Sequence, residues 1–444
     1  MTDGRAAGDR EPGDSSPAAG RLTAEQVLAA VLVAVAVTVT WRLAVPPART
    51  WCCDASRYIE MARDPSRGVA TPFAYRIVVP RLVHLLGGVP QDTFARVSLV
   101  LMAATGPLVY ALARRLGAVH WAALLAMAGL LSSRAWLYYF SDPWLSDPAT
   151  MLMVAAAFLV LVSGRLWLLA AVGVLFAGVR ELFAGVAAPA FGWLLGRLGV
   201  VRAALAAGLV VLPGVVAYKW IVSTAPTGKD AQGFGQISLR TTIWLGKFIA
   251  ERGGMAYFLT AAITLSLGCW WVLAVPSVWD RGVRRLLLWL LPVFGQFLIG
   301  GDWGRFALYA FPIVIPAAAL TLQRLRPRWR AVVAAVLGLQ LLVPLLDVAA
   351  GRMTLNRPGP AVPASVVLMA VMTAVLLAAH LSGRRRRPAP DTGVPRAPSA
   401  PGRDQQDVLA GDPVRRQVLQ QPADRDDDAV VPPDGRAADA RPPG

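Results

Sequence analysis

Long apolar runs separated by short polar loops dominate the hydropathy pattern of this chain. A transmembrane helix needs about 20 apolar residues, and each of these runs approaches that length. The twelve runs lie at about 24–46, 95–113, 119–133, 148–163, 166–179, 182–195, 203–221, 254–275, 286–300, 306–322, 331–348 and 362–382. The pattern predicts an all-α polytopic membrane bundle with about 12 transmembrane helices.

The segment 75–88 is also apolar, but Arg76, Pro80 and Arg81 interrupt it. Charges in the middle of a span are expensive, so this segment fits a helix lying at the membrane surface better than a span. Composition agrees with the membrane interpretation. The 444 residues are 56% hydrophobic and only 16% charged, with a mean hydropathy of +0.51. These values exclude the soluble enzyme folds.

The two ends of the chain differ from the apolar section 24–382. Residues 1–23 are rich in Gly, Ala, Asp and Arg, and residues 383–444 are rich in Pro, Asp, Arg and Gln. Neither end can bury enough apolar surface to fold, so both are predicted to be disordered and cytoplasmic. Their charges are nearly balanced, and the formal net charge of +17 therefore lies on the section 24–382.

Arginine clusters occur in every second loop between the apolar runs. Basic loops favour the cytoplasmic side of a membrane, which places both termini in the cytoplasm of a protein of the cell membrane. The positive charge is thus explained by topology and by membrane lipid, and it does not indicate a nucleic-acid partner. The loops predicted to face outward are 47–94, 134–147, 180–181, 222–253, 301–305 and 349–361.

Motifs of soluble chemistry are missing from the sequence. It contains no P-loop, no GxGxxG, no HExxH and no CxxC motif, and its three histidines are widely scattered. Cys52 and Cys53 are adjacent and Cys269 lies in an apolar run, so the cysteines form no disulfide framework. Charged residues of the outer loops are therefore the candidates for function.

The first outer loop begins with Asp54, just beyond the first apolar run. On a helix Asp54 and Tyr58 are neighbours at i,i+4. A carboxylate at the membrane surface beside an apolar wall can act as general base for a hydroxyl acceptor. The alternative is an ordinary solvated acid or a helix cap.

The second outer loop holds two Asp-Pro pairs among aromatic residues, at Asp142 and Asp147. Asp147 followed by Pro148 can be a plain helix start, with Asp as the cap and Pro in the first turn. Asp142 precedes no apolar run of its own, so that alternative does not explain it.

Two further outer positions carry guanidinium groups. Arg180 and Glu181 separate two short apolar runs, and Asp302 and Arg305 precede another run. Guanidinium groups hold phosphate through paired hydrogen bonds. The alternative is a structural ion pair, or an Arg that extends its head group to the surface.

In the order of these elements the chain resembles the GT-C superfamily of integral-membrane glycosyltransferases. The elements are an Asp after the first run (Asp54), a Pro-x-x-Tyr-Arg segment ending at Arg76, an Asp-Pro before a mid-chain run (Asp147), the pair Arg180-Glu181, and Asp302 with Arg305. They cover roughly residues 24–322.

The resemblance implies a polyprenyl-phosphate sugar as donor and a glycan, lipid or protein hydroxyl as acceptor. It implies Asp54 as the base and Asp142 or Asp147 as a second acid or ligand of a divalent metal. Basic residues that match the donor-phosphate site are Arg76, Arg180 and Arg305, and the supporting residues are Tyr58, Tyr75, Glu181 and Asp302. The chain departs from many members in having a lone Asp, because Ala55 follows Asp54.

The sequence therefore favours a glycosyltransferase acting on the outer face of the cytoplasmic membrane. A transporter or lipid flippase is the alternative, because twelve spans with both ends inside is also a transporter plan. A non-catalytic scaffold of an envelope complex is the third possibility. Charges gathered at one surface and the absence of a visible inverted repeat favour the enzyme.

Overall fold

A computed structural model describes residues 22–47, 54–227, 254–298, 303–349 and 361–384, together with residues 243, 246 and 250. The described residues form no β-strand, and the predicted all-α class is confirmed for them. Their α-helices, labelled in chain order, are α1 (Ala24–Ala44), α2 (Asp54–Arg63), α3 (Val78–Leu86), α4 (Pro90–Arg115), α5 (His120–Leu131), α6 (Arg134–Ser141), α7 (Asp147–Val162), α8 (Leu166–Ala177), α9 (Ala187–Leu198), α10 (Val200–Thr224), α11 (Gly254–Ser266), α12 (Cys269–Ala274), α13 (Arg281–Arg284), α14 (Leu290–Gly295), α15 (Trp303–Leu308), α16 (Phe311–Arg324), α17 (Pro327–Ala349) and α18 (Ala361–Arg384).

Five of these helices are each long and apolar enough to cross a membrane: α1, α4, α10, α17 and α18. The shorter apolar helices α5, α7, α8 and α16 have 12 to 16 residues. These lengths and compositions are typical of a helical membrane protein. The count of twelve spans stays a prediction.

The apolar run 254–275 was expected to form one helix, but it is broken. Its two halves, Leu259–Ser266 and Cys269–Ser277, are bent by 84°. Gly268 lies at the bend with φ +51°, a conformation that side-chain-bearing residues rarely adopt. A Cβ there would also lie 2.9 Å from the side chain of Gln340 in α17. If Leu259–Ser266 and Cys269–Ser277 together form one broken span, the described residues contain six segments long and apolar enough to cross a membrane.

Two other apolar runs are also divided. The run 182–195 begins as a 3₁₀ helix, Glu181–Val186, before α9. In the described part of the run 286–300, two 3₁₀ turns, Leu287–Trp289 and Gln296–Leu298, flank the short helix α14. Apolar composition predicts burial or membrane contact in such segments, but it does not predict where the helix breaks.

The loops sort into two groups at opposite ends of the helices. At the end where α4 finishes, the Val119 backbone N–H donates to Gln323 Oε1 at 2.6 Å, and Arg324 pairs with Asp280 at 2.8 Å. At the end where α4 begins, Trp144 Nε1 donates to the Gln91 carbonyl at 3.1 Å. In the described residues, the outer loops 47–94 and 134–147 therefore contact each other, and so do the inner segments around residues 114–119, 276–285 and 323–330.

A buried acid and base connect α17 to the first residue of α6. Asp347 is fully buried in α17, and its Oδ2 accepts from Nε of the buried Arg134. Asp347 Oδ1 also accepts from the Ala361 backbone N–H at 3.2 Å, at the start of α18. The pair thus joins both C-terminal helices to the end of the bundle that carries the second outer loop.

Removing the charge of Asp347 is expected to destabilise the protein. In Asp347→Asn, the buried Arg134 loses the carboxylate that accepts from its Nε, and breaking such a buried pair costs about 3–5 kcal/mol. Denaturant titration in detergent micelles measures the change in free energy of unfolding. Asp92→Asn, at an exposed position in the first turn of α4, is the matched control with an expected change below about 1 kcal/mol. Equal changes in the two variants would contradict a structural role for the pair.

Candidate functional site

Asp147 is the centre of the candidate site. It is the first residue of α7 and is 2% exposed. Its Oδ1 accepts hydrogen bonds from Arg180 Nη1 at 2.8 Å and from the Tyr309 hydroxyl, and its Oδ2 lies 3.5 Å from Arg305 Nη1. The N-cap position of α7 is occupied by Ser146, the residue before Asp147. Asp147 is therefore a buried ion-pair partner, and the alternative interpretation as a helix cap is wrong.

The two guanidinium groups come from distant parts of the chain. Arg180 follows α8 in extended backbone conformation, and Arg305 lies in α15; both are at most 6% exposed. The Arg180 guanidinium also stands 5.3 Å from the ring centroid of Tyr309. Arg305 extends further and places Nη2 3.7 Å from Asp54 Oδ2.

Asp54, Asp147, Arg180, Arg305 and Tyr309 are called the ion-pair cluster below. Asp54 lies in the first turn of α2 with its side chain 34% exposed, so it forms the accessible edge of the cluster. Burying an unpaired charge is costly, and here two carboxylates face two guanidinium groups. The balance of charge explains how this cluster can exist inside an apolar bundle.

A second group of polar residues adjoins the ion-pair cluster and is called the Arg76 branch. Arg76 donates to both carboxylate oxygens of Glu181, at 3.3 and 3.1 Å, and to the Tyr58 hydroxyl at 2.9 Å. Ser146 Oγ donates to the same hydroxyl at 3.2 Å. Because Ser146 precedes Asp147 and Glu181 follows Arg180, the branch is joined to the cluster through the backbone at two points.

The guanidinium of Arg76 keeps its positive charge in these surroundings. Burial alone would lower the pKa of Arg76, but Glu181 and Tyr58 raise that pKa well above its ordinary value. Burial also raises the pKa of the Tyr58 phenol, so it stays protonated. Arg180 and Glu181 do form ion pairs, but with Asp147 and Arg76 rather than with each other.

The predicted supporting residue Tyr75 makes a different contact. The Tyr75 ring packs edge-on against Tyr218 of α10, with ring centroids 6.0 Å apart. Tyr218 in turn lies against Phe183, at 5.8 Å between centroids. Asp302 lies outside the described residues, as do Cys52 and Cys53.

Asp142 lies near the ion-pair cluster but is bound differently. Its Oδ2 accepts from the Tyr138 hydroxyl at 3.0 Å, while its Oδ1 is buried with no hydrogen-bond partner among the described residues. Burial raises the pKa of Asp142 to about 6, and the bond from Tyr138 opposes this only in part. Arg305, Asp54 and Asp147 also influence its titration, which places all three nearby. A buried oxygen without a partner is typical of a functional group.

The raised pKa makes a prediction about stability and pH. The folded protein holds the Asp142 proton up to about pH 6, whereas the unfolded chain releases it near the ordinary aspartate pKa of 3.8. Stability is therefore lost as the pH rises from about 4 through 6, by on the order of 3 kcal/mol for about two pKa units. Asp142→Asn is expected to be more stable than wild type at pH 8 but not at pH 4.

The measurement for Asp142 is the free energy of unfolding at both pH values. Asp92→Asn, at its exposed position, serves as control and should show no such pH-dependent gain. A difference between Asp142→Asn and wild type that is the same at pH 4 and pH 8 would contradict the raised pKa.

A divalent metal was one expectation for the acids of this site. Among the residues that the structure describes, no group of three or more His, Cys, Asp or Glu side chains is arranged to hold a metal ion. Asp147 already has both oxygens engaged by cations and a hydroxyl. Asp54 is 34% exposed, and the Oδ1 of Asp142 has no hydrogen-bond partner among the described residues.

Several residues of the site were not found from the sequence. Tyr309 and Ser146 are completely buried; Tyr309 contacts Asp147, and Ser146 contacts Tyr58. In the sequence, however, Tyr309 stands in an apolar segment and Ser146 in a turn segment. The spacing of four residues between Arg305 and Tyr309 could have signalled a shared helical side. Nothing in the local sequence of Arg134 or Asp347 indicated their pairing.

No family model, curated protein or solved structure matches the chain. Its class is therefore defined by the helices themselves, which are those of a helical membrane protein.

Proposed function

We propose that the protein is an integral-membrane glycosyltransferase that moves a sugar from a polyprenyl-phosphate donor to an acceptor hydroxyl. The observation that carries the proposal is the ion-pair cluster. Asp147 holds Arg180 and Arg305 together, and Arg305 reaches the more accessible Asp54. A carboxylate beside fixed guanidinium groups is the combination that transfer from a lipid phosphate requires.

The proposal includes a GT-C-like bundle of about twelve spans in the cell membrane with both termini in the cytoplasm. Its support is the separation of loops between the two ends of the helices. The ion-pair cluster lies at one end, and the arginine-rich loops 114–119 and 323–330 meet at the other. Basic loops favour the cytoplasm, so the cluster faces outward.

The reaction follows from the positions of the charged groups. The acceptor oxygen attacks the anomeric carbon from the side opposite the phosphate, and its proton passes to the Asp54 carboxylate. The bond between the anomeric carbon and the phosphate oxygen breaks, and polyprenyl phosphate leaves with the electron pair. Arg305 and Arg180 stabilise the negative charge on that phosphate. The stereochemistry at the anomeric carbon is inverted.

Asp147, Glu181 and Tyr58 act in this proposal as positioning residues. Asp147 fixes both guanidinium groups, and Glu181 and Tyr58 fix that of Arg76. Preorganised cations need not rearrange when charge develops on the phosphate. Asp142 is the proposed second acid, since its Oδ1 is buried and has no hydrogen-bond partner among the described residues.

The test uses the full-length protein reconstituted in vesicles. The outer leaflet receives polyprenyl-phosphate hexoses and pentoses labelled in the sugar, and cell-envelope glycans and lipids serve as acceptors. The expected result is release of unlabelled polyprenyl phosphate together with label in a new glycosidic product. Movement of intact donor across the bilayer without any new glycosidic bond would contradict the proposal and favour the flippase alternative.

A further inference from the structure

A second pocket lies at the opposite end of the bundle from the ion-pair cluster. It opens between the end of α16, the start of α17 and the last turns of α18, with a volume of about 580 Å³. The polar lining includes Ser277, Arg324, Arg326 and His380, and the walls include Trp329 and Leu376. Nothing in the proposed transfer reaction uses this pocket.

The pocket combines a cationic rim with an apolar wall. Arg324 is anchored, because it donates to Ser277 Oγ at 3.2 Å and pairs with Asp280 at 2.8 Å. Arg326 is exposed and forms no ion pair with a described residue. Trp329 Nε1 donates to Ser382 Oγ at 3.3 Å, which ties the start of α17 to the end of α18 beside the pocket.

Positive charge is in excess among the described residues beside the pocket. The segments 275–285 and 321–330 add Arg284, Arg328 and Arg330, and Asp280, the partner of Arg324, is the acid within these two described segments. An anion entering the pocket would therefore meet a strongly favourable field.

We infer that this pocket binds the phosphate headgroup of an anionic phospholipid, with one acyl chain against the Leu376 wall of α18. Basic pockets between transmembrane helices at their cytoplasmic ends are suited to anionic headgroups. A free soluble anion would make no favourable contact with the apolar side of the pocket. An aromatic residue such as Trp329 also prefers the depth at which headgroups and acyl chains meet.

The experiment measures lipid binding by the full-length protein. Fluorescent phosphatidylglycerol or phosphatidylcholine, carried in neutral detergent micelles, is titrated with the protein at low ionic strength. Phosphatidylglycerol is expected to bind at least fivefold more tightly than phosphatidylcholine. Each arginine near the headgroup contributes about a fivefold factor, so Arg326→Gln should weaken the binding of phosphatidylglycerol about fivefold and Arg324→Gln/Arg326→Gln about 25-fold.

Arg165→Gln is the matched control. Arg165 is exposed in the loop after α7, at the same end of the bundle but outside the pocket, and its loss should leave binding unchanged. Thermal unfolding checks that all variants are folded.

Three results would overturn the inference: equal affinity for the two lipids, equal effects of Arg326→Gln and Arg165→Gln, or displacement of phosphatidylglycerol by millimolar inorganic phosphate. Because no sugar donor is present, the outcome does not depend on the proposed transferase activity.

Discussion

Asp147→Asn is expected to lower the free energy of unfolding by at least about 3–5 kcal/mol. The substitution leaves two buried guanidinium groups, Arg180 and Arg305, without the carboxylate that pairs with both of them. Breaking one buried pair has a cost of this size, and here a single carboxylate serves two cations and the Tyr309 hydroxyl. Denaturant titration in micelles measures the change, with wild type alongside.

Glu60→Gln is the control for Asp147→Asn. Glu60 pairs with Arg57 in α2 at 3.6 Å, and both side chains are well exposed, so losing this pair should change stability by about 0–1 kcal/mol. If Asp147→Asn is as stable as Glu60→Gln, Asp147 does not hold the arginines together and the cluster is not a unit.

Asp54→Asn is expected to slow sugar transfer by about 10²- to 10⁴-fold, the usual contribution of a positioned base. Asn has nearly the same shape as Asp but accepts no proton at neutral pH. Because Asp54 is 34% exposed and meets Arg305 at 3.7 Å, stability should change far less than in Asp147→Asn. The initial rate of label transfer from the polyprenyl-phosphate donor is the measurement.

Stability and rate together separate the two acids. Asp54→Asn should lose rate and keep its fold, whereas Asp147→Asn should lose both. Glu60→Gln, in the same helix as Asp54, should lose neither. Transfer by Asp54→Asn at the wild-type rate would remove Asp54 from the proposed mechanism, and Asp142 would then be the acid to test.

The helical class could be predicted from the sequence because apolar runs of this length are characteristic of membrane helices. Runs such as 24–46, 203–221 and 331–348 correspond closely to α1, α10 and α17. The bend at Gly268 could not be predicted, since the sequence does not show that Gln340 of a distant helix lies where a Cβ at position 268 would be. Hydropathy records how apolar a segment is, and a broken helix can be as apolar as a straight one.

The site residues could be selected because charge in apolar surroundings is expensive and therefore rare. Their partners could not be selected in the same way. Arg180 and Glu181 are adjacent in sequence, yet each pairs with a residue more than thirty positions away. Tyr309 was missed because a tyrosine in an apolar run carries no signal of a hydrogen bond to a distant carboxylate. Tertiary contacts decide such pairings, and these contacts cannot be inferred from a single sequence.

The most direct test of the central claim is a double-mutant cycle on the transfer rate. Asp54→Asn, Arg305→Lys and the double variant are compared with wild type; Lys keeps the charge but cannot reach both carboxylates as Arg305 does. If Asp54 and Arg305 serve one reaction at one site, the losses of transition-state stabilisation in the two single variants do not add, and the double variant is about as slow as Asp54→Asn alone. If the two single-variant rate reductions multiply in the double variant, Asp54 and Arg305 act independently and the account is contradicted.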